Sequence, residues 1–337
     1  MEIKLANKKP WSSLRQGYID ALAEIDGYRK GILSSCKTPW PKVNDAGLDG
    51  LEWNSMVVIG GRPGAGKTLI KKQIIRNVFT LNPGQNIRCL EFQFEMMSKV
   101  DAKREFTSVV NKSYKELHAK GADGVSDIEF EKLKVHAREQ IKFPVDIIEQ
   151  SKTVNQIVEI VKDYMETHSV MENYLDNETD TVKQKKVYKK TVITLDHSIL
   201  VKREQKESFL DMLYSLGEAL TGLKREYPIL FIILSQLGRQ VENPDRAEEG
   251  QYANYILESD LFGGDALFQH ADMVIGVNRP AKRFIKFFGP EKYIIDDDTV
   301  LVFHFLKVRN GDPRMSFFRA KFKTMEVEEM PTPGRKP

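Results

Sequence analysis

The chain has 337 residues, 41% hydrophobic and 29% charged, with a net charge of +3. That length suits one large α/β domain or two modest ones, the balance is that of an ordinary globular protein, and so small a charge does not by itself argue for nucleic acid. No apolar run approaches the roughly 20 residues of a bilayer span, and the start "MEIKLANKKPW" lacks the apolar core of a signal peptide. The expectation is a soluble, cytoplasmic protein with no membrane partner. Cys36 and Cys89 have no metal-ligand spacing, and Cys89 lies in an apolar stretch; they read as buried free thiols in a reducing compartment.

In chain order, residues 12–30 carry Leu14, Ile19, Leu22 and Ile25 at helical spacing, a short amphipathic helix whose polar remainder suits docking on another subunit. A Gly-, Pro- and Ser-rich linker follows. From residue 56 strands and helices alternate: β-rich runs at 56–60, 88–94, 144–148, 191–195, 229–234, 273–278, 300–306 and 316–322, with helical stretches at 67–79, 96–118, 127–141, 153–171 and 207–226. Runs such as "ILFIIL" suit strands buried on both faces of a mostly parallel sheet, so the fold class is a wound α/β domain. Residues 172–186 read as a surface loop, 279–299 as an elaborated hairpin, and 326–337 as a disordered tail. The domains expected are a helix over 1–30 and the wound α/β domain over 31–325.

Gly61-Arg62-Pro63-Gly64-Ala65-Gly66-Lys67-Thr68, followed by Leu69, fits G-x-x-x-x-G-K-[ST] between a strand and a helix. The glycines permit a tight turn whose N–H groups converge on phosphate oxygens, and the helix N-terminus adds its positive end. Lys67 would reach the β- and γ-phosphates, and the Thr68 hydroxyl would ligate Mg²⁺. This predicts a site for ATP and Mg²⁺. "TVITLDHSIL" ends a strand in Asp196, a carboxylate for the Mg²⁺ water shell at the edge where such sheets bind ligands. Hydrolysis also needs a group to orient or deprotonate water. Glu95, at the tip of a strand expected beside the phosphate-loop strand, could serve; Glu91, deeper on the same face, competes with it. Ser235 and Gln236 lie at another strand tip, where an amide could sense the γ-phosphate.

These motifs, in this order, resemble the ATPase domain of DnaB-type hexameric replicative helicases, within the RecA-like superfamily, from about residue 30 to 325. The family enters its phosphate loop through "T-G-…-L-D-…-G-L-x-x-G-x-x-x-V-I-x-x-R-P-x-x-G-K-T"; this chain has "KGILSS…DAGLDGLEWNSMVVIGGRPGAGKT". Its "S-L-E-M" is matched by "QFEM" at Glu95, implying the catalytic glutamate, its "D-Y-L-Q-L" by "DHSIL" at Asp196, and its "S-Q-L-x-R" by "SQLGR", which ends at Arg239. The family's "K-x-R-N-G" is matched by "KVRNG" at 307–311. The resemblance implies Arg309 as an arginine finger on the neighbouring subunit's γ-phosphate, with Lys307 beside it. It also implies a homo-oligomer, a hexameric ring, single-stranded DNA as partner, 5′-to-3′ unwinding, and a primase or loader as further partners.

The chain departs from the family in three places. The family's DNA-contact segment, "D-L-R-x-S-G-x-I-E-Q-x-A-D", reads "DLFGGDALFQHAD" over 260–272. Phe262 replaces the arginine, and Gly264-Asp265 the Ser-Gly. Either Phe262 stacks on a base while Gly263 and Gly264 let amides approach phosphates, or the loop no longer binds DNA in the family manner. His197 stands where the family has Tyr, as a structural or a catalytic group. The family's large N-terminal helical domain has no counterpart here, which suits a minimal, phage-encoded helicase.

Overall fold

The computed structural model describes residues 13–176, 181–263 and 265–336, and the chain divides into two units, Met1–Ser35 and Cys36–Pro337. The first holds α1 (Leu14–Arg29), started by Ser13, whose side chain accepts from the Gln16 N–H at 3.1 Å, a standard N-cap. Leu14, Ile19, Leu22 and Ile25 of its predicted apolar face are all exposed.

The second unit starts with the short α2 (Pro41–Asn44) and then alternates. Its first half runs β1 (Ser55–Gly61), α3 (Lys67–Leu81), β2 (Arg88–Gln93), α4 (Ser98–Val110), α5 (Asp127–Gln140), β3 (Val145–Ile148) and α6 (Val154–Thr167). An antiparallel hairpin, β4 (Val170–Asp176) and β5 (Thr181–Val187), precedes β6 (Thr191–Asp196), α7 (Phe209–Glu226) and β7 (Ile229–Gln236). Then come α8 (Asp265–His270), β8 (Met273–Asn278), the two-residue strands β9 (Phe287–Phe288) and β10 (Tyr293–Ile294), β11 (Val300–Val308), β12 (Met315–Lys321) and β13 (Glu326–Glu329). Among the described residues no helix is long and apolar enough to cross a membrane.

Nine of these strands form one sheet, ordered β13-β12-β11-β8-β1-β7-β6-β2-β3. From β8 to β3 all neighbours are parallel, and β11, β12 and β13 add antiparallel strands at one side. Central strands are buried on both faces, as their unbroken apolar sequences require. Alternation along β1 sends Val57 and Ile59 to the layer beneath α3, and Met56 and Val58 to the layer beneath α6 and α7.

Three readings of the sequence change. Residues 172–186 fall largely in the β4–β5 hairpin rather than a loop; 177–180 lie outside the described residues. Residues Glu326–Glu329, expected within a disordered tail, pair with β12 as β13. Their charged side chains suit an edge strand, and their backbone is held from two sides. The Val327 carbonyl accepts from the Trp40 indole at 2.9 Å and from the Gln73 side-chain amide at 2.8 Å, and the Gln73 Oε1 accepts from the Val327 N–H at 2.6 Å. The strand of Glu95 is not beside the phosphate-loop strand, because β7 and β6 lie between them. Crossover connections let chain order and spatial order differ.

Trp40 is buried and meets both Phe303 and Phe318 edge-on at 6.2 Å. Trp40→Ala therefore opens a cavity and removes the indole donor from the Val327 carbonyl, and should cost about 3–5 kcal/mol, read as a lower midpoint in urea unfolding. Both thiols are buried, and burial pushes Cys36 up to about 12 and Cys89 well above its ordinary value. Neither should react with a thiol reagent in the native protein at neutral pH, and both should titrate once it is unfolded.

Candidate nucleotide site

β1 ends at Gly61, and the chain turns through 62–66 before α3 begins at Lys67. Gly64 and Gly66 hold φ of +73° and +97°, the left-handed region that a side chain disfavours, and Gly66 is the N-cap residue. Lys67 lies back over this turn, donating to the Gly61 carbonyl at 2.7 Å and the Arg62 carbonyl at 3.3 Å. Burial depresses its pKa to about 8, against the pull of Asp196 and Glu95 and with a further push from Arg62. A phosphate oxygen here would meet a cation already shielded from bulk water, where a charge–charge contact is strongest. Arg62 is fixed away from this role by a bidentate pair with Glu242, at 2.9 and 2.7 Å, and by the Leu237 carbonyl at 3.0 Å.

The turn opens into a cleft of about 390 Å³ that collects Pro63, Gly64, Gly66, Lys67, Thr68 and Leu69 with Glu95, Asp196, His197 and Gln236. The last four come from the C-terminal ends of β2, β6 and β7 or the residues just beyond. Asp196 is buried; its Oδ1 has no protein partner among the described residues, while its Oδ2 lies 3.4 Å from the Lys71 ammonium. Thr68 and a carboxylate with a free oxygen, on one cleft, are a fitting donor set for Mg²⁺. That ion takes one or two protein groups and fills its octahedron with phosphate oxygens and water. Among the described residues no cluster of three or more His, Cys, Asp or Glu could hold a metal by itself.

The two competing glutamates separate. Glu91 is buried in an ion pair with Lys71 at 2.9 Å, whereas Glu95 is exposed and lines the cleft. Glu95 Oε2 stands 3.8 Å from His197 Nε2, and the same ring nitrogen is 3.4 Å from the Gln236 amide nitrogen. Burial lowers the His197 pKa, only partly offset by Glu95 and Asp196, so the ring is largely neutral at pH 7.

Three contributors go unmarked by the sequence motifs. Lys71 is fully buried; burial alone would depress its pKa, but Glu91, Asp196 and Asp101 outweigh that and raise it. Its place one helical turn after Lys67 is the available signal. Arg279 and Phe322 also line the cleft, the guanidinium 4.0 Å from the ring centroid, held by Asp298 at 2.7 Å and reaching the Gly64 carbonyl at 3.4 Å. They make a flat cationic-aromatic platform on which a base could stack. Nothing in their local sequence marks this pair, which forms only when β8 and β12 are brought to one sheet.

Lys307 and Arg309 lie elsewhere. β11 runs antiparallel to β8, pairing Lys307 with Val274 and Val308 with Met273, whereas Val277 is the β8 residue level with Gly61. The two basic residues thus sit at the edge opposite the phosphate loop, separated from the level of Gly61 by about 10 Å of strand for Lys307 and about 16 Å for Arg309. Lys307 donates to the Phe268 and Gln269 carbonyls at 2.8 and 3.1 Å, and Arg309 pairs with Asp272 at 3.1 Å with about half of its side chain exposed.

The 260–272 segment begins against the tip of β7. The Phe262 N–H donates to the Gln236 carbonyl at 2.9 Å, the Gly238 N–H to the Asp260 carbonyl at 2.6 Å, and Leu261 bridges Leu237 between them. Asp260 is buried in a bidentate pair with Arg246, at 2.5 and 2.8 Å. Phe262 is exposed, its ring 5.3 Å from that of Phe209, and Gly263 has φ +74°. Arg239 is exposed at the start of a 3₁₀ turn. Gly264 lies outside the described residues.

A parallel sheet with a G-x-x-x-x-G-K-T turn at the tip of a central strand, and an acidic strand end across the same cleft, defines a RecA-like P-loop ATPase domain. The DnaB-like helicase C-terminal domain matches this chain over residues 38–315, and the chain belongs to that family of ATP-hydrolysing helicase domains. Two solved structures are similar in fold. One, described as an ATPase domain, has 17% identity and a TM-score of 0.75, covering 95% of this chain and 100% of that one. The other, a DnaB-like replicative helicase described with its interactions with primase, has 17% identity and a TM-score of 0.71, covering 97% of this chain and 69% of that one. No curated protein matches the chain significantly.

If Phe322 is a stacking platform, Phe322→Ala should weaken binding of a fluorescent adenine nucleotide about tenfold, within the 1–3 kcal/mol of base–aromatic stacking. Competition by tripolyphosphate, which has no base, should be unchanged when both are followed by fluorescence anisotropy.

Proposed function

We propose that this chain is the motor subunit of a ring-shaped DNA helicase that hydrolyses Mg²⁺·ATP at sites shared between copies. The observation that carries this reading is the placement of Arg309: half exposed, and on the sheet edge opposite its own phosphate loop. A guanidinium there serves a phosphate only if the phosphate belongs to another copy. The exposed apolar face of α1 is a second surface suited to docking between copies.

In this reading Lys67 and the turn amides bind the β- and γ-phosphates, and Thr68 and Asp196 hold Mg²⁺, which when bound neutralises phosphate charge. Glu95 orients and deprotonates the attacking water, with His197 beside its carboxylate and Gln236 placed to sense the γ-phosphate. Arg309 of the next copy, with Lys307 beside it, stabilises the charge that develops in the loose transition state. The backbone link from Gln236 to Phe262 ties the cleft to the segment proposed to grip single-stranded DNA, with Phe262, Gly263, Gly264 and Arg239 as its contacts. Hexameric stoichiometry, 5′-to-3′ movement and a primase or loader as partner belong to the same proposal, supported by family membership.

The test is steady-state ATPase with and without single-stranded DNA, followed by strand displacement on forks with one 5′ or one 3′ tail. DNA-stimulated hydrolysis that disappears in Lys67→Ala, with unwinding of forks, is expected. ATPase indifferent to DNA in a confirmed oligomer would overturn the DNA reading and point to a protein substrate. Arg309→Ala should lower kcat by at least about 10³. Mixing it with Lys67→Ala should restore part of the activity, because each mixed interface of one orientation contains an intact Lys67 and an intact Arg309.

A further inference from the structure

Helix α3 presents two ammonium groups one turn apart, Lys67 to the cleft and Lys71 to the sheet below it. Lys71 has no solvent exposure; its Nζ stands 2.9 Å from Glu91 Oε2 and 3.4 Å from Asp196 Oδ2. Glu91 is steadied by the Thr194 hydroxyl at 3.4 Å. The two oxygens of Asp196 therefore differ: Oδ2 faces a fixed cation in the core, and Oδ1, also buried, has no protein partner among the described residues.

A carboxylate on a strand end is free to rotate about its last torsion, a broad and roughly two-fold well. An ammonium on one side only removes that freedom. The Lys71 ammonium reaches Asp196 at Oδ2 only, and Asp196 lines the phosphate cleft. A buried polar oxygen without a partner is costly, and Asp196 Oδ1 is such an oxygen among the described residues. A purely structural pair would need no second carboxylate facing the cleft.

We propose that Lys71, anchored by Glu91, is a positioning residue that holds Asp196 so that its Oδ1 faces the water shell of Mg²⁺; the proposal rests on the nucleotide-site reading above. Its role is to set the metal requirement of the site rather than to touch the nucleotide.

The test uses the full chain and a fluorescent ATP analogue, with binding measured in EDTA and then across a Mg²⁺ titration. The double variant K71M/E91M replaces the buried pair with apolar side chains of similar length and strands no glutamate charge. Its binding in EDTA should match the wild type, while the Mg²⁺ concentration at half effect should rise about tenfold, the low end of what outer-shell partners contribute to metal affinity. The same shift should appear in the Mg²⁺ dependence of ATPase. An unmoved Mg²⁺ midpoint in a variant with normal EDTA binding overturns the proposal and leaves the nucleotide reading standing. Wild-type protein that shows no nucleotide binding sensitive to Lys67→Ala overturns both. If K71M/E91M loses its thermal unfolding transition, E91Q removes the anchor while keeping its shape. E91Q should raise the Mg²⁺ midpoint by a smaller factor, and no rise again overturns the proposal.

Discussion

The parallel register of the central sheet is the constraint on which the site depends. Because β1, β7, β6 and β2 run the same way, their C-terminal ends share one edge. Groups from four distant stretches of sequence, Lys67, Gln236, Asp196 and Glu95, meet there around one cleft. The N-terminus of α3 opens at the same edge, so its unpaired amides face that space. The antiparallel strand β11 reverses the direction and delivers Lys307 and Arg309 to the other edge. One domain therefore carries its phosphate-loop cleft and the Lys307–Arg309 pair on opposite edges of the same sheet.

Charge burial is the second organising force, and most charged groups near the cleft already have an assignment. Arg62 is committed to Glu242, Arg279 to Asp298, and Lys71 to Glu91 and Asp196. These pairs shape the walls and leave few groups free to act. Lys67 hydrogen-bonds to backbone carbonyls, and Asp196 keeps one oxygen unpartnered among the described residues. The groups with spare bonding capacity are those on the cleft side.

The parts of this architecture legible in the sequence are those set by local chemistry. Unbroken apolar runs mark the core strands, and the turn 61–66 carries its own conformational requirement in Gly64 and Gly66. Asp196 stands out because a strand of apolar residues ends in a carboxylate. What escapes depends on spatial order. The Glu95 strand reads as a neighbour of β1, since sequence gives no strand order across crossovers. β13 stays hidden because "EVEE" is too polar to read as a strand without Trp40 and Gln73 in place to hold Val327. The β4–β5 hairpin stays hidden because exposed strands of mixed polarity lack an apolar face. Lys71 and Glu91 lie on different elements and give no sign of each other until α3 lies on β2.

The link between residues 236–238 and 260–262 is made of main-chain groups. Every residue except proline carries an N–H and a carbonyl, so this attachment is indifferent to which side chains occupy the segment beyond it. Sequence drift at position 262 can exchange an arginine for an aromatic ring and alter what the segment touches without loosening its hold on the strand tip. A joint of this kind keeps its hold on the strand tip through main-chain groups while the exposed side chain at 262 is left open to variation.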